Sequence, residues 1–292
     1  MDSTAEIAIT EVVNRRIGAI VSGKPHEIGA GFSANHFSEE MFGGRMDPLL
    51  MVDHFVMTRP TFDPHLHAGI SAVTMMFEDT EGVFHNRDTL GQNIDLKAGD
   101  LYWLAAASGA AHEEKPAEGA RIHALQIFVN LPGRLKKSPA RSLKVEAANV
   151  PIIEGRGHRV RVVLGESGDV TGATGTPEEM TVLDGYLVLH GCFTHTLPEG
   201  WQAWVYAVSG TLTVACGGEE RVIEAGMATT IDAGPSADIS LKANAPAHFV
   251  LLAGKPIREA FVKHGPLVMS TAADVERTLS DYALGKFGRI PA

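Results

Sequence analysis

In the stretch PHLHAG, residues 64–69, His65 and His67 stand two positions apart. On a β-strand that spacing sends both imidazoles to one face. His112 and Glu114, in SGAAHEEKP, repeat the same spacing. If a neighbouring strand carries the second pair opposite the first, three imidazoles and one carboxylate converge. Such a set suits Fe(II), Mn, Ni, Zn or Cu(II) better than Mg or Ca. Glu113 is the competing carboxylate, but on an extended strand it points away from His112, so it is expected to face solvent. The chain has 13 histidines, so a lone His-x-His pair would carry little weight. Two donor pairs of matching spacing, separated by a Gly turn and an AGD signal, carry more. Four ligands leave one or two positions of an octahedral shell for water, substrate or dioxygen.

The elements that must position these residues read as short β runs punctuated by Gly, Pro, Asp and Asn, among them GISAVTMMF, DLYWLA, RIHALQIFVNL, QAWVYAVSG and AHFVLLAG. Short strands at regular spacing indicate an all-β sandwich or barrel rather than alternating β-α units. Helix signals are sparse. The best is TAADVERTLSDYALG, in which Thr271 can cap with Asp274 three residues on, Val275, Leu279 and Tyr282 share a face, and Gly285 ends the run. The halves also repeat: VTMMFEDTEG and IDLKAGDLYWL have counterparts in WVYAVSGTL and RVIEAGMATTI. A duplicated small barrel accounts for that, with PGRLKKSPARS as an exposed linker or crossover between residues 1–133 and 134–292. GESGDVTGATGTPEE reads as a long surface loop, since no phosphate-binding glycine pattern is present.

Composition sets the outer limits. A chain of 292 residues, 45% hydrophobic and 21% charged, can bury a core in each of two domains. Its formal charge of -10 opposes a broad nucleic-acid or anionic-membrane footprint. Cys192 and Cys216 form no C-x-x-C pair, which fits a reducing, cytoplasmic setting. MDSTAEIAITEVVNRR lacks the uninterrupted apolar run of a signal peptide, and no long apolar span occurs. No G-x-S-x-G is present for a nucleophilic serine. Met75, Met76 and Phe77 read as barrel packing, and His85 and His123, unpaired with a matching donor, as structural residues.

With these residues in hand, the chain resembles the pirins, a family of two-domain cupins (double-stranded β-helix barrels). The resemblance rests on HLHAGIS, GDLYWLAAASG, HEE and HALQIFVNLP, and on AGKPIREAFVKHGPLVMST and DYALGKFG near the C-terminus. It implies two tandem barrels with a short C-terminal helix, and one iron held by His65, His67, His112 and Glu114. Two roles follow from it and stay open. The first is a quercetin 2,3-dioxygenase-like reaction on a flavonol-like or other enolic aromatic compound, with Glu114 accepting the substrate's hydroxyl proton. The second is a metal-loaded, redox-sensing regulator that binds a transcription factor or metabolic enzyme. The chain departs from the family pattern at Ala68, Ser71 and Ser108, where Arg, Glu and Arg are usual. Two cations are thereby expected to be missing from the mouth of the metal site, weakening its hold on anions.

The repeat supplies a comparison for the metal site. Aligning Gly82 with Gly210 puts His195 opposite His67 and Phe193 opposite His65. Aligning Gly99 with Gly226 puts Ile239 and Leu241 where His112 and Glu114 stand. Three of four ligand positions are then apolar, so the second barrel is expected to hold no metal and His195 to be structural.

Overall fold

The computed structural model describes residues 15–291. The N-terminal stretch used above to argue against a signal peptide falls largely within residues 1–14, outside them. Among the described residues no helix is long and apolar enough to cross a membrane.

Two barrels of like construction are present, each a seven-stranded antiparallel sheet closed by a four-stranded one. In the first, the large sheet runs in the order Arg141–Val145, Leu101–Ala105, Ile70–Met76, Ile122–Asn130, Leu49–Met57, Phe32–Ser38, Lys24–Ile28. The small sheet is His65–His67, Ala110–Pro116, Phe84–Asp88, Asn93–Leu96. Sheet membership crosses the expected boundary at residue 133 in both directions. Arg141–Val145 pairs with Leu101–Ala105 of the first barrel, whereas Val21–Ser22 pairs with Met227–Ile231 of the second.

The two large sheets pack back to back, which explains why their strands read as nearly continuous apolar runs: both faces are buried. Val73, Met75, Leu125 and Ile127 join Trp204, Tyr206, Val250 and Leu252 in one core between the barrels. The alternate residues Met76, Leu104, Ile122 and Ala124 fill the first barrel instead. Met75 and Met76 are thus packing residues on opposite faces of one strand.

One sequence expectation needs correction here. PGRLKKSPARS is not simply an exposed linker: Lys136 is buried, donating to the carbonyls of Gly69 (2.9 Å) and Val268 (2.7 Å) and to Asn130 Oδ1 (2.6 Å). It fastens the C-terminal strand Leu267–Met269 to the turn after His67. The C-terminal helix spans Ala272–Ala283, and Thr271 Oγ1 accepts the Asp274 N–H as expected. Its buried residues, however, are Asp274, Val275 and Thr278, while Leu279 and Tyr282 are exposed.

Candidate metal centre

His65–His67 is a three-residue strand paired antiparallel with Ala110–Pro116, so that His65 lies directly opposite His112 and His67 opposite Ala110. The period-two alternation then aims all three imidazoles into the barrel. His112 Nε2 lies 3.0 Å from His67 Nε2 and 3.2 Å from His65 Nε2. All three nitrogens fall within 4.8 Å of one another, a group that could hold a metal ion.

The donor set fits such an ion on two counts. Ligand nitrogens about 2.0–2.1 Å from one metal stand roughly 2.8–3.4 Å apart in cis-octahedral or tetrahedral geometry, matching the spacings at His112. His65 Nδ1 lies 2.9 Å from the Asp63 carbonyl, so Nδ1 carries the proton and Nε2 presents a lone pair. Burial keeps the three rings neutral. It pushes His112 down to about 3 and His65 below the usual range, and drives His67 well below it, His112 and His65 reinforcing that last shift.

Glu114 lies outside the nitrogen cluster but lines the same cavity. Its Oε1 accepts from Thr74 Oγ1 at 2.6 Å and from Asn86 Nδ2 at 3.2 Å. Burial nevertheless raises its carboxyl to about 7, against the pull of those two donors. Glu113 does turn to the opposite side, but it is not solvent-facing as expected. It is buried beneath Arg87 and Lys115, which pair with its two oxygens.

The cavity beside the histidines measures about 160 Å³ and is walled by Phe32, Phe55, Phe62, Phe84 and Phe128, with Glu114, Gln126 and Asp53 among its polar members. Ala68 and Ser108, the two positions where arginines were expected to be missing from the metal mouth, are not among the residues that line it, and neither is Ser71. Ala68 is fully buried against Leu66, Leu267 and Met269, and Ser71 is buried in the large sheet. Aliphatic packing of the C-terminal strand occupies the space beside position 68.

The repeat also resolves differently. His195 pairs with Ile239 as His65 pairs with His112, so His195 stands at the position of His65 rather than of His67. Leu197, opposite Ala237, takes the place of His67. Leu197, Ile239 and Leu241 are all fully buried. His195 Nδ1 lies 3.1 Å from Ser167 Oγ, and burial lowers the ring to about 4.

His85 is exposed and bonded to Asp95. His123 joins a chain that sequence spacing did not reveal: its Nδ1 is 2.6 Å from Asp79, its Nε2 is 2.6 Å from His54 Nε2, and His54 Nδ1 is 2.6 Å from the Tyr206 hydroxyl. Its partners come from the turn after Ile70–Met76, the strand Leu49–Met57 and the second barrel, so no local pattern announces it.

Comparison with known proteins agrees with this architecture. Residues 23–129 match the pirin family and residues 182–288 the pirin C-terminal cupin domain. A Pseudomonas aeruginosa protein provisionally named a quercetin 2,3-dioxygenase is 34% identical, across 90% of this chain and 95% of its own. Human pirin is 29% identical over 83% of each chain. A crystal structure described as quercetin 2,3-dioxygenase from Acinetobacter baumannii superposes with a TM-score of 0.84 at 28% identity, covering 95% of this chain and all of that one. On the two domain matches and the extent of these alignments, the chain belongs to the pirin family.

Proposed function

We propose that the protein is a metal-dependent dioxygenase of the quercetin 2,3-dioxygenase type, acting on flavonol-like or other enolic aromatic compounds. The observation that carries this reading is the meeting of three neutral imidazoles, one buried carboxyl near neutrality and an aromatic-walled cavity. His65, His67, His112 and Glu114 would hold the ion. Fe(II) is the expected one, and Mn, Ni, Zn or Cu(II) are alternatives for the same donors. When bound, the ion would polarise the substrate's oxygens and provide the electronic path to dioxygen.

The chain's own residues have separable tasks. The phenylalanines sandwich a planar ring and exclude water. Glu114, buried and lining the same cavity, is placed to accept the substrate's enolic hydroxyl proton at Oε1 or Oε2. Thr74 and Asn86 donate to Oε1 and so fix the carboxylate's orientation. The three histidines, with Nδ1 of His65 tied to Asp63, keep their Nε2 lone pairs directed inward.

The relative from Acinetobacter baumannii supports this reading by its name and its fold. The regulatory alternative, in which a loaded protein binds a macromolecule, gains nothing from position 68, which lies fully covered by the C-terminal strand. The test is to reconstitute the purified protein with Fe(II) and mix it with quercetin in air and under nitrogen, following flavonol absorbance and carbon monoxide. Oxygen-dependent decay that a His65→Ala variant lacks is the expected result. Decay no faster than that of the variant would sink the dioxygenase reading.

A further inference from the structure

Four polar residues form a straight row across the large sheet of the first barrel. Thr74 lies directly opposite Gln126, Gln126 opposite Asp53, and Asp53 opposite His36, on four adjacent strands. Directly opposed residues share a face, and Gln126 and Asp53 line the aromatic cavity. One end of the row touches Glu114 through Thr74. The other, His36, is partly exposed at 34% of its side chain. From Thr74 to Asp53 is two strand spacings, about 10 Å, comparable to a fused two-ring aromatic.

Hydrogen bonding along the row leaves capacity unused in its middle. Thr74 has one hydroxyl proton, and Glu114 is its nearer acceptor, at 2.6 Å against 3.1 Å for Gln126. Gln126 Nε2 is buried without a partner. Asp53 binds His36 Nδ1 through Oδ1 at 2.7 Å, and among the described residues no side chain or backbone group donates to its Oδ2. No Lys or Arg lines the cavity. A buried amide left unsatisfied is costly, so a ligand that engages it gains affinity.

We infer that Asp53 and Gln126 are specificity-determining residues, selecting aromatic substrates that carry a neutral hydroxyl at the end away from the histidines. The inference rests on the dioxygenase reading for the placement of the reacting end, at the histidines and Glu114. Asp53 Oδ2 requires a donor from the ligand, which a phenolic hydroxyl provides. The Gln126 amide completes the hydroxyl's second bond. A carboxylate in that place would meet Asp53 with no Lys or Arg on the cavity wall to offset the repulsion, and an ether would leave Asp53 without a donor. The His36–Asp53 hydrogen bond raises His36 above the usual imidazole range, so the pair is partly neutralised and favours a neutral phenol over a cationic amine.

Binding can be read separately from turnover. Metal-loaded protein under nitrogen would be titrated calorimetrically with four ligands: quercetin, the flavonol with an unsubstituted pendant ring, the analogue with a carboxylate on that ring, and the analogue with an aminomethyl group there. Quercetin is expected to bind about tenfold more tightly than the unsubstituted flavonol, the size of one hydrogen bond to a charged acceptor. The carboxylate should bind weakest and the amine more weakly than quercetin. Asp53→Asn should bring quercetin and the unsubstituted flavonol together and improve the carboxylate, with metal content and circular dichroism unchanged. Equal wild-type affinities, tightest binding by the amine, or a uniform loss in Asp53→Asn would overturn the assignment. Selective binding without oxygen-dependent decay would remove only the dioxygenase reading. Failure of all four ligands to bind would remove the cavity assignment itself.

Discussion

His65 and His112 face each other across directly paired strands with their Nε2 atoms 3.2 Å apart, and His67 Nε2 lies 3.0 Å from the same atom of His112. His112 is the shared vertex of the cluster, so its loss should do the most damage. Purified protein is expected to carry about one equivalent of a divalent transition metal. His112→Ala and His67→Ala should lower that content at least tenfold, which mass-spectrometric metal analysis measures. His195→Ala should leave it unchanged, because the neighbours of His195 at the matching positions are Leu197, Ile239 and Leu241. Two equivalents in the wild type would contradict a single site.

Glu114 and Thr74 can be separated kinetically. Glu114→Gln keeps the shape of the side chain but cannot take a proton, so flavonol turnover should fall by about 10²–10⁴, the usual scale for a positioned base. Thr74→Val removes a hydrogen bond that favours the carboxylate, so the Glu114 carboxyl should rise further. The base form then appears later on the alkaline side, and the rising limb of the pH–rate profile should move upward by about one unit. An unmoved limb with an equally reduced plateau would assign Thr74 a packing role instead.

The histidine cluster and the fold class were legible because both rest on local periodicity. An i, i+2 pair on a strand declares a common face whatever the rest of the barrel does. The Thr74–Gln126–Asp53–His36 row was not legible, since it exists only through register between strands separated by loops of unrelated length. The same cause misplaced His195. Counting back from a glycine turn accumulates every difference in strand length, including the register shift between Ala207 and Ser209. Lys136 and Glu113 misled for another reason: composition predicts the exposure of a charge, but not that three oxygens or two cations will be folded around it.

Gly69 links the metal strand to the C-terminus. Its φ is +72°, a conformation glycine adopts without steric cost, and a Cβ there would overlap the Val268 carbonyl. Gly69→Ala should therefore displace Leu267–Met269 and strain the turn following His67. A loss of about 2–4 kcal/mol is expected, combining positive-φ strain with overpacking. Urea titration measures it, and metal content should fall in parallel. A wild-type unfolding midpoint in the variant would show that the C-terminal strand is not fastened through this contact.

The His54–His123–Asp79 chain between the barrels should make the protein acid-sensitive independently of its metal. Burial first, then His123 and His248, push His54 down to about 3, whereas an unfolded imidazole titrates near 6.5. Between those values the unfolded chain binds the extra proton, so stability falls as pH falls. The contribution is fully present above about 6.5 and is lost progressively toward 3. For one such group the loss between pH 7 and pH 5 is about 2 kcal/mol. His54→Gln can still donate to His123 and accept from Tyr206, but it does not titrate. In chelator-treated protein the histidines not coupled to His54 contribute equally to wild type and variant and cancel. Urea unfolding at pH 7 and pH 5 should then show the variant losing about 2 kcal/mol less than the wild type. Parallel losses in the two proteins would mean that His54 takes up its proton in the native state near the ordinary imidazole value.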